Sequence, residues 1–305
     1  MENKPAKPEI RKNIATFLII TTILCLPVYY MCIRTGNIGA GYPPVSYVMM
    51  IMWCPGLAAL LTCLVRGIPV TSLGWKWGEN KYQIWSYVIP FLYALVAYLA
   101  VWISGKGGFY NKEFVAKVAK GLSWNLPDGV VIILFVLLTG IFGMVRSMAS
   151  ALGEEIGWRG FLTPHLAKIN SYTATSLWMG LIWSLYHYPL MLGSNYNMGG
   201  SKWYALICFT VMVIASCFVY TWMRMKSGSL WTGVLLHASH NLFIQMVFTP
   251  ITVDTGDTKK YIDEFGIALP IVSVIVAFIF WRKRKELPAQ EQESTQYVHL
   301  EKVLQ

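Results

Sequence analysis

The amino-acid sequence predicts an all-α integral membrane protein, a bundle of about eight transmembrane helices. Of its 305 residues, 55% are hydrophobic and only 13% are charged, about half the charged share of a soluble domain. The mean hydropathy is +0.49. The 13 Trp and 17 Tyr suit a protein with two membrane–water interfaces, where amphipathic rings settle. These values exclude an ordinary soluble globular protein, and they exclude disorder, which requires low hydrophobicity and high charge.

The individual spans follow from the apolar runs, because a membrane-spanning helix needs about 20 mostly apolar residues. Eight segments meet or nearly meet this requirement. They are Ile14–Ile33, Val45–Val65, Ile84–Ser104, Val130–Leu152, Ala174–Leu192, Tyr204–Met225, Leu230–Phe248 and Ile267–Trp281. The chain is therefore divided into a basic tail (1–13), a polytopic membrane domain (14–285) and a polar tail (286–305).

Basic residues predict the orientation, because Lys and Arg are enriched on the cytosolic side of a membrane. With the N-terminus in the cytosol, 15 basic residues flank the spans on the cytosolic side and eight on the other. Both tails are therefore predicted to be cytosolic. The lysines of Lys106–Lys120 fall on the opposite side, where an amphipathic helix in the membrane interface is expected. Its apolar positions recur every fourth residue: Tyr110, Phe114, Val118 and Leu122.

The net charge of +10 indicates contact with a membrane surface and not with nucleic acid. The basic residues cluster between apolar segments, as expected for anchors beside anionic lipid. The six cysteines lie in or at the edge of apolar stretches, without a C-x-x-C pair. Neither a disulfide framework nor a thiolate zinc site is therefore expected.

Ionisable residues inside the apolar segments point to a functional site, because each costs at least a few kcal/mol in a bilayer. Thirteen of the 15 acidic residues are assigned to tails, loops or segment edges. The other two, Glu154 and Glu155, lie side by side at the inner end of the fourth segment. His187 lies in the fifth segment, and His237 and His240 in the seventh. A buried polar site is therefore predicted among helices 4, 5 and 7.

Helical spacing separates these residues by role. Glu155 and Arg159 are i,i+4 neighbours that can form a supporting ion pair. Glu154 is turned about 100° from Glu155 and can aim into the bundle. His237 and Asn241 are also i,i+4 neighbours, whereas His240 points to another side, as expected for a structural or supporting residue.

The chemistry that these groups permit is hydrolysis of an amide bond. A Glu carboxylate with an imidazole partner can deprotonate a water, and a second His with an Asn carboxamide can donate to the oxyanion. Alternatively, Glu154, His187 and His237 can hold a zinc ion whose bound water attacks. Because Asn241 is a poor zinc ligand, a site that requires no cofactor is favoured, and zinc remains the alternative.

Three motifs in this order resemble those of the CAAX protease and bacteriocin-processing (CPBP, or Abi) family, intramembrane proteases that include the type II CAAX prenyl endopeptidase. Residues 154–160, E-E-I-G-W-R-G, match its E-E-x-x-x-R-G motif. Residues 183–187, W-S-L-Y-H, are similar to the second motif, with Trp183 where Phe is usual. Residues 237–241, H-A-S-H-N, are similar to H-x-x-x-N. The motif-bearing core covers about 130–248, and a similar Leu-Gly-Trp occurs at 73–75.

The resemblance implies a role for each matched residue. Glu154 is expected to be the catalytic carboxylate, His187 its partner, and His237 with Asn241 the oxyanion site. The implied substrate is a membrane-associated or prenylated peptide or protein, cut within a bacterial-type cell membrane. A non-catalytic bacteriocin-immunity or scaffold protein is the alternative function. A proton-coupled transporter is a further alternative, but transporters usually have duplicated halves, and no internal repeat is visible.

Overall fold

The computed structural model describes residues 6–35, 47–194, 196 and 200–288. Of these described residues, 81% are helical, so the predicted all-α fold class is confirmed. The α-helices are α1 (Lys7–Thr35), α2 (Tyr47–Arg66), α3 (Asn80–Ile103), α4 (Lys112–Gly121), α5 (Asp128–Leu138), α6 (Met144–Glu155), α7 (Thr163–Ala167), α8 (Tyr172–Gly193), α9 (Lys202–Ser227), α10 (Trp231–Asn241), α11 (Thr249–Ile251) and α12 (Ala268–Arg282). Short 3₁₀ turns occupy Val70–Leu73, Thr258–Lys260 and Lys283–Glu286.

Each of the eight predicted spans coincides with a helix, but six helices in the described ranges are both long and apolar enough to cross a membrane. The count of eight is therefore not confirmed. The two that fall short are α8, whose 22 residues include several Ser, Thr and His, and α12, which has only 15 residues. The first helix begins at Lys7, inside the predicted tail. Residues 1–5 and 289–305 of the two predicted tails lie outside the described residues.

The helix that carries the first motif is longer than the sequence suggests. Helices α5, α6 and α7 join into one continuous helix over Asp128–Ala167, 40 residues long. If straight, it would measure about 60 Å, twice the hydrocarbon thickness, so only part of it lies within the hydrocarbon at an ordinary tilt. Two π-helical segments interrupt it, Thr139–Gly143 and Ile156–Leu162. A third π segment, Leu242–Phe248, follows α10.

Helix packing places the motif-bearing helices side by side. Helix α6 packs against α2 and α10, α10 also packs against α3, and α8 and α12 both pack against α9. Glycines permit the closest of these approaches. A Cβ on Gly56 of α2 would lie 2.5 Å from the carbonyl oxygen of Gly153 on α6. Because no side chain fits between them, the two backbones meet one residue before Glu154.

The segment predicted to form an amphipathic helix contains α4, which begins at Lys112; its place in the membrane interface stays a prediction. Asn111 caps its N-terminus by accepting a 3.1 Å hydrogen bond from the backbone N–H of Phe114, and the Phe114 ring meets that of Phe135 on α5 at 5.3 Å. Just before α4, β1 (Gly108–Phe109) pairs antiparallel with β2 (Thr252–Val253). This two-stranded sheet joins the segment after α3 to the segment after α11.

Candidate active site

The first motif lies where α6 gives way to a π-helical segment. Glu154 and Glu155 are the last two residues of α6, and Trp158 and Arg159 lie in the π segment that follows. Such π segments occur frequently at functional sites. All four side chains are buried, with Glu154 only 2% exposed. A buried carboxylate requires compensating donors, and the structure supplies them differently to the two glutamates.

The hydrogen-bond donors to Glu155 come from the first motif and from the third. Arg159 Nη1 donates to Glu155 Oε1 at 2.8 Å, the i,i+4 ion pair that the spacing predicts. His237 Nδ1 donates to the same oxygen at 2.9 Å. The other oxygen of Glu155, Oε2, is buried without a hydrogen-bond partner among the described residues. Glu155 therefore connects the first motif to the third.

The Arg159 guanidinium is enclosed by aromatic rings. It lies 4.1 Å from the ring centre of Trp183 and 3.9 Å from that of Tyr220, and its Nη2 contacts Cys217 Sγ at 3.6 Å. Arg224 on α9 donates from Nε to the backbone oxygen of Arg159 at 2.7 Å. These contacts hold the cation of the ion pair in a fixed place, which suits the supporting role predicted for Glu155 and Arg159.

Glu154 is held in a different way, by two indole rings. Trp158 Nε1 donates to Glu154 Oε2 at 2.9 Å, and Trp183 Nε1 donates to the same oxygen at 2.7 Å. Indole N–H groups only donate, so both bonds stabilise the carboxylate without taking part in proton transfer. No described residue donates to the second oxygen, Oε1. One oxygen of Glu154 is thus fixed and the other is available.

His187 lies on α8, four residues after Trp183. Its Nδ1 lies 2.9 Å from the carbonyl oxygen of Trp183, and because a carbonyl only accepts, Nδ1 carries the hydrogen. This fixes the tautomer of the neutral ring and leaves Nε2 as an acceptor. The ring is half-buried and meets the rings of Tyr186 at 5.1 Å and Phe209 at 4.9 Å.

His237 and Asn241 lie on α10, whose last residue is Asn241. A close approach between α10 and α6 brings His237 to Glu155. A Cβ on Gly233 would lie 2.5 Å from Glu155 Oε2 and 3.0 Å from Arg159 Cγ, so only glycine leaves room for the ion pair there. Asn241 lies one turn beyond His237, at the point where α10 passes into its π segment.

The start of α10 is fixed by the Leu-Gly-Trp segment. The backbone N–H of Leu230 donates to the oxygen of Gly74 at 2.8 Å, and Trp231 Nε1 donates to the oxygen of Trp75 at 2.8 Å. The segment at 73–75 therefore anchors the helix that carries the third motif.

Trp183 lies at the centre of the predicted site. It bonds Glu154, its ring centre is 5.3 Å from that of His237, and its ring is 6.4 Å from that of His187. The structure thus gathers Glu154, His187 and His237 around one indole. Asn241 is on the same helix as His237, and no hydrogen bond of its side chain is seen within the described ranges.

A second buried polar cluster was not foreseen from the sequence. His240 Nε2 lies 3.0 Å from Glu264 Oε1, Gln245 Nε2 donates to the same oxygen at 2.9 Å, and Tyr93 hydrogen-bonds His240 Nδ1. Asp263 and Glu264 lie in the loop before α12, as assigned from the sequence, but their side chains are only 6% and 4% exposed. Burial opposes ionisation of Glu264, yet the hydrogen bonds from His240 and Gln245 hold its pKa below the ordinary value.

One signal in the sequence could have revealed this cluster. A histidine buried in an apolar helix needs polar partners, and His240 points away from the other motif residues. The only acidic pair near the last span, Asp263-Glu264, is flanked by apolar residues from Tyr261 to Leu269. The two observations together would have suggested a contact between His240 and this pair.

The alternative zinc site of Glu154, His187 and His237 is not seen as a three-ligand set. Among the residues that the structure describes, no three His, Cys, Asp or Glu side chains are grouped so that they could hold a metal ion. This arrangement does not fit a zinc site built from Glu154, His187 and His237.

Comparison with known proteins finds similarity over the motif-bearing core. Residues 129–243 match the family model of Rce1-like type II CAAX prenyl endopeptidases. CAAX prenyl protease 2 of Methanococcus maripaludis is 29% identical over 136 residues, which are 43% of this chain and 47% of that protein. The chain thus matches about half the length of this curated relative. The resemblance to type II CAAX prenyl endopeptidases is confirmed over this region.

Proposed function

From the Rce1-like region at 129–243, we propose that this protein is an intramembrane endopeptidase. Its substrate is a membrane-associated peptide or protein, and a prenylated CAAX sequence is the substrate class that the similarity favours. The observation that carries the proposal is the environment of Glu154, which is buried and accepts two indole hydrogen bonds through one oxygen, while the other oxygen is left for a water.

The water is activated by Glu154 with His187. Oε1 of Glu154 accepts a proton from the water, and the resulting hydroxide attacks the carbonyl carbon of the scissile peptide bond. His187 Nε2, an acceptor in the neutral ring, can hold the water in place through the second water hydrogen. The proton on Glu154 then passes to the leaving amine as the C–N bond breaks.

The oxyanion that forms is stabilised by His237 and Asn241. Because Nδ1 of His237 donates to Glu155, Nε2 carries a hydrogen only when the ring is protonated. Glu155 supplies the negative charge that favours this cation, and the imidazolium then donates to the oxyanion together with the Asn241 carboxamide. Removing one such donor typically lowers the rate about 10²–10³-fold.

We propose that this reaction requires no metal. The support is that Asn241 is a poor zinc ligand, and that no three His, Cys, Asp or Glu side chains are grouped to hold a metal ion among the residues that the structure describes. Purified protein should therefore remain active after dialysis against a strong chelator. One zinc ion per chain, with activity lost on its removal and restored on its addition, would overturn this part of the proposal.

The substrate class is tested with matched peptides. Purified protein in liposomes is incubated with a peptide ending in a prenylated CAAX sequence, and with the same peptide lacking the prenyl group. We expect mass spectrometry to show cleavage of the prenylated peptide, loss of cleavage in His187→Ala and strong impairment in Asn241→Ala. Cleavage of neither peptide, with tight binding of both, would instead favour an immunity or scaffold protein.

The membrane location of the site belongs to the same proposal. The six long apolar helices are those of an integral membrane protein, and the distribution of Lys and Arg supports cytosolic termini. The helix end that bears Glu154 then lies toward the cytosolic face, from which a lipidated peptide can enter.

A further inference from the structure

The two indole hydrogen bonds to Glu154 fix one oxygen of its carboxylate, which packing alone would not do. Both reach the same oxygen, Oε2, at 2.9 Å from Trp158 and 2.7 Å from Trp183. Trp158 belongs to the same helix as Glu154, whereas Trp183 comes from α8, which also carries His187. The bond from Trp183 therefore fixes Glu154 relative to its predicted catalytic partner.

The Trp183 indole is itself held in place by two neighbouring side chains. Its ring stacks on the Arg159 guanidinium at 4.1 Å and meets the Tyr220 ring at 5.4 Å. A cation over an aromatic ring draws electron density toward it, which makes the indole N–H a stronger donor. The supporting ion pair of Arg159 and Glu155 thus acts on Glu154 through Trp183.

We propose that Trp183 is a positioning residue, whose N–H fixes Oε2 of Glu154 and so leaves Oε1 as the oxygen that deprotonates the water. This inference rests on the proposed function of Glu154 as general base. The hydrogen bond also stabilises the ionised carboxylate against its burial. A phenylalanine at 183, the usual residue of the resembling motif, has no donor, so this function belongs to the indole of this chain.

The split between kcat and KM separates this role from packing. A contact that only holds the fold together affects folding and substrate binding, whereas the bond to Oε2 sets the direction of Oε1 in the reaction step. Trp183→Phe removes the indole N–H but keeps an aromatic ring at this position. The bond from Trp158 to Glu154 and the bond from His237 to Glu155 keep both of their partners.

The experiment measures kcat and KM for cleavage by Trp183→Phe and by wild type, with Trp222→Phe as the matched control. Trp222 is also buried, but its Nε1 donates to the backbone oxygen of Lys283 at 3.0 Å. We expect Trp183→Phe to lower kcat about 10–100-fold with KM nearly unchanged. Trp222→Phe should leave both constants near those of wild type.

A second variant distinguishes loss of the donor from misfolding. Benzothienylalanine at position 183, introduced by an expanded genetic code, keeps the shape of the indole and replaces N–H by sulfur. It should lower kcat as Trp183→Phe does, with KM nearly unchanged. A folded benzothienylalanine variant with the kcat of wild type would overturn the inference, even if Trp183→Phe is impaired. An active Glu154→Gln would overturn the proposed function as well, whereas an inactive Glu154→Gln with a wild-type kcat in the benzothienylalanine variant would overturn the inference alone.

Discussion

Glu155 on α6 and His237 on α10 are joined by a 2.9 Å hydrogen bond between Oε1 and Nδ1, across 82 positions of the chain. Because the carboxylate only accepts, the bond fixes both the rotation of the imidazole and the nitrogen that carries its hydrogen. The same oxygen binds Arg159. One buried oxygen therefore aligns two motifs that the sequence relates only by order.

This relationship predicts that the two adjacent glutamates differ in their effect on stability. Glu155→Gln leaves Arg159 buried without its counter-charge, and breaking a buried ion pair in this way typically costs about 3–5 kcal/mol. Glu154→Gln retains an oxygen that can accept from Trp158 and Trp183. We expect a clear fall in melting temperature in detergent for Glu155→Gln and little change for Glu154→Gln. Equal losses in the two variants would refute this division of roles.

The close approach at Gly233 predicts a steric requirement. A Cβ there would lie 2.5 Å from Glu155 Oε2, so Gly233→Ala must displace the ion pair. Overpacking of this kind typically costs about 1–3 kcal/mol, and we expect lower thermal stability together with lost cleavage. Gly129→Ala is the matched control, because an added Cβ at that helical position meets nothing within 4 Å. A Gly233→Ala protein as stable and active as the control would show that this contact is not required.

The buried Asp263 predicts an unusual dependence of stability on pH. Burial, with the neighbouring charge of Glu264, raises the pKa of Asp263 from 3.8 to about 7. An acid with a raised pKa contributes stability below its unfolded pKa and loses that contribution as the pH rises through its folded value. Asp263→Asn keeps a neutral side chain at every pH. Its melting temperature should therefore match wild type near pH 4 and exceed it by several degrees above pH 7.

Asp257 provides a control of opposite sign. It is exposed, and a 2.7 Å ion pair with Lys260 holds its pKa below the ordinary value. Asp257→Asn should therefore give a small loss of stability that disappears as the pH falls. If Asp263→Asn and Asp257→Asn show the same trend with pH, the account of Asp263 is wrong.

The proposed orientation predicts which side of the membrane a reagent can reach. Lys259 and Lys285 are exposed; Lys259 precedes α12 in the chain and Lys285 follows it. The six native cysteines are buried. A membrane-impermeant maleimide added to intact cells should label Lys259→Cys and not Lys285→Cys. Labelling of Lys285→Cys in intact cells would place the C-terminus outside.

Local spacing in the sequence was enough to predict the helices and the ion pair of Glu155 with Arg159, because both depend on residues within one turn of each other. Contacts between distant residues were harder to foresee. The bond from Trp183 to Glu154 joins α8 to α6, and the sequence marks Trp183 only as a departure from the usual Phe. The burial of Asp263 and Glu264 could not be predicted from their own segment, because their partners are Thr249 for Asp263, and His240 and Gln245 for Glu264.

The most direct test of the central claim is a comparison of wild type and Glu154→Gln in H₂¹⁸O with a prenylated CAAX peptide in liposomes. The account predicts that wild type releases a product whose new carboxylate carries one ¹⁸O atom. Glu154→Gln, folded to the same melting temperature, should release none. Cleavage by Glu154→Gln at a rate near that of wild type would contradict the claim that Glu154 activates the water.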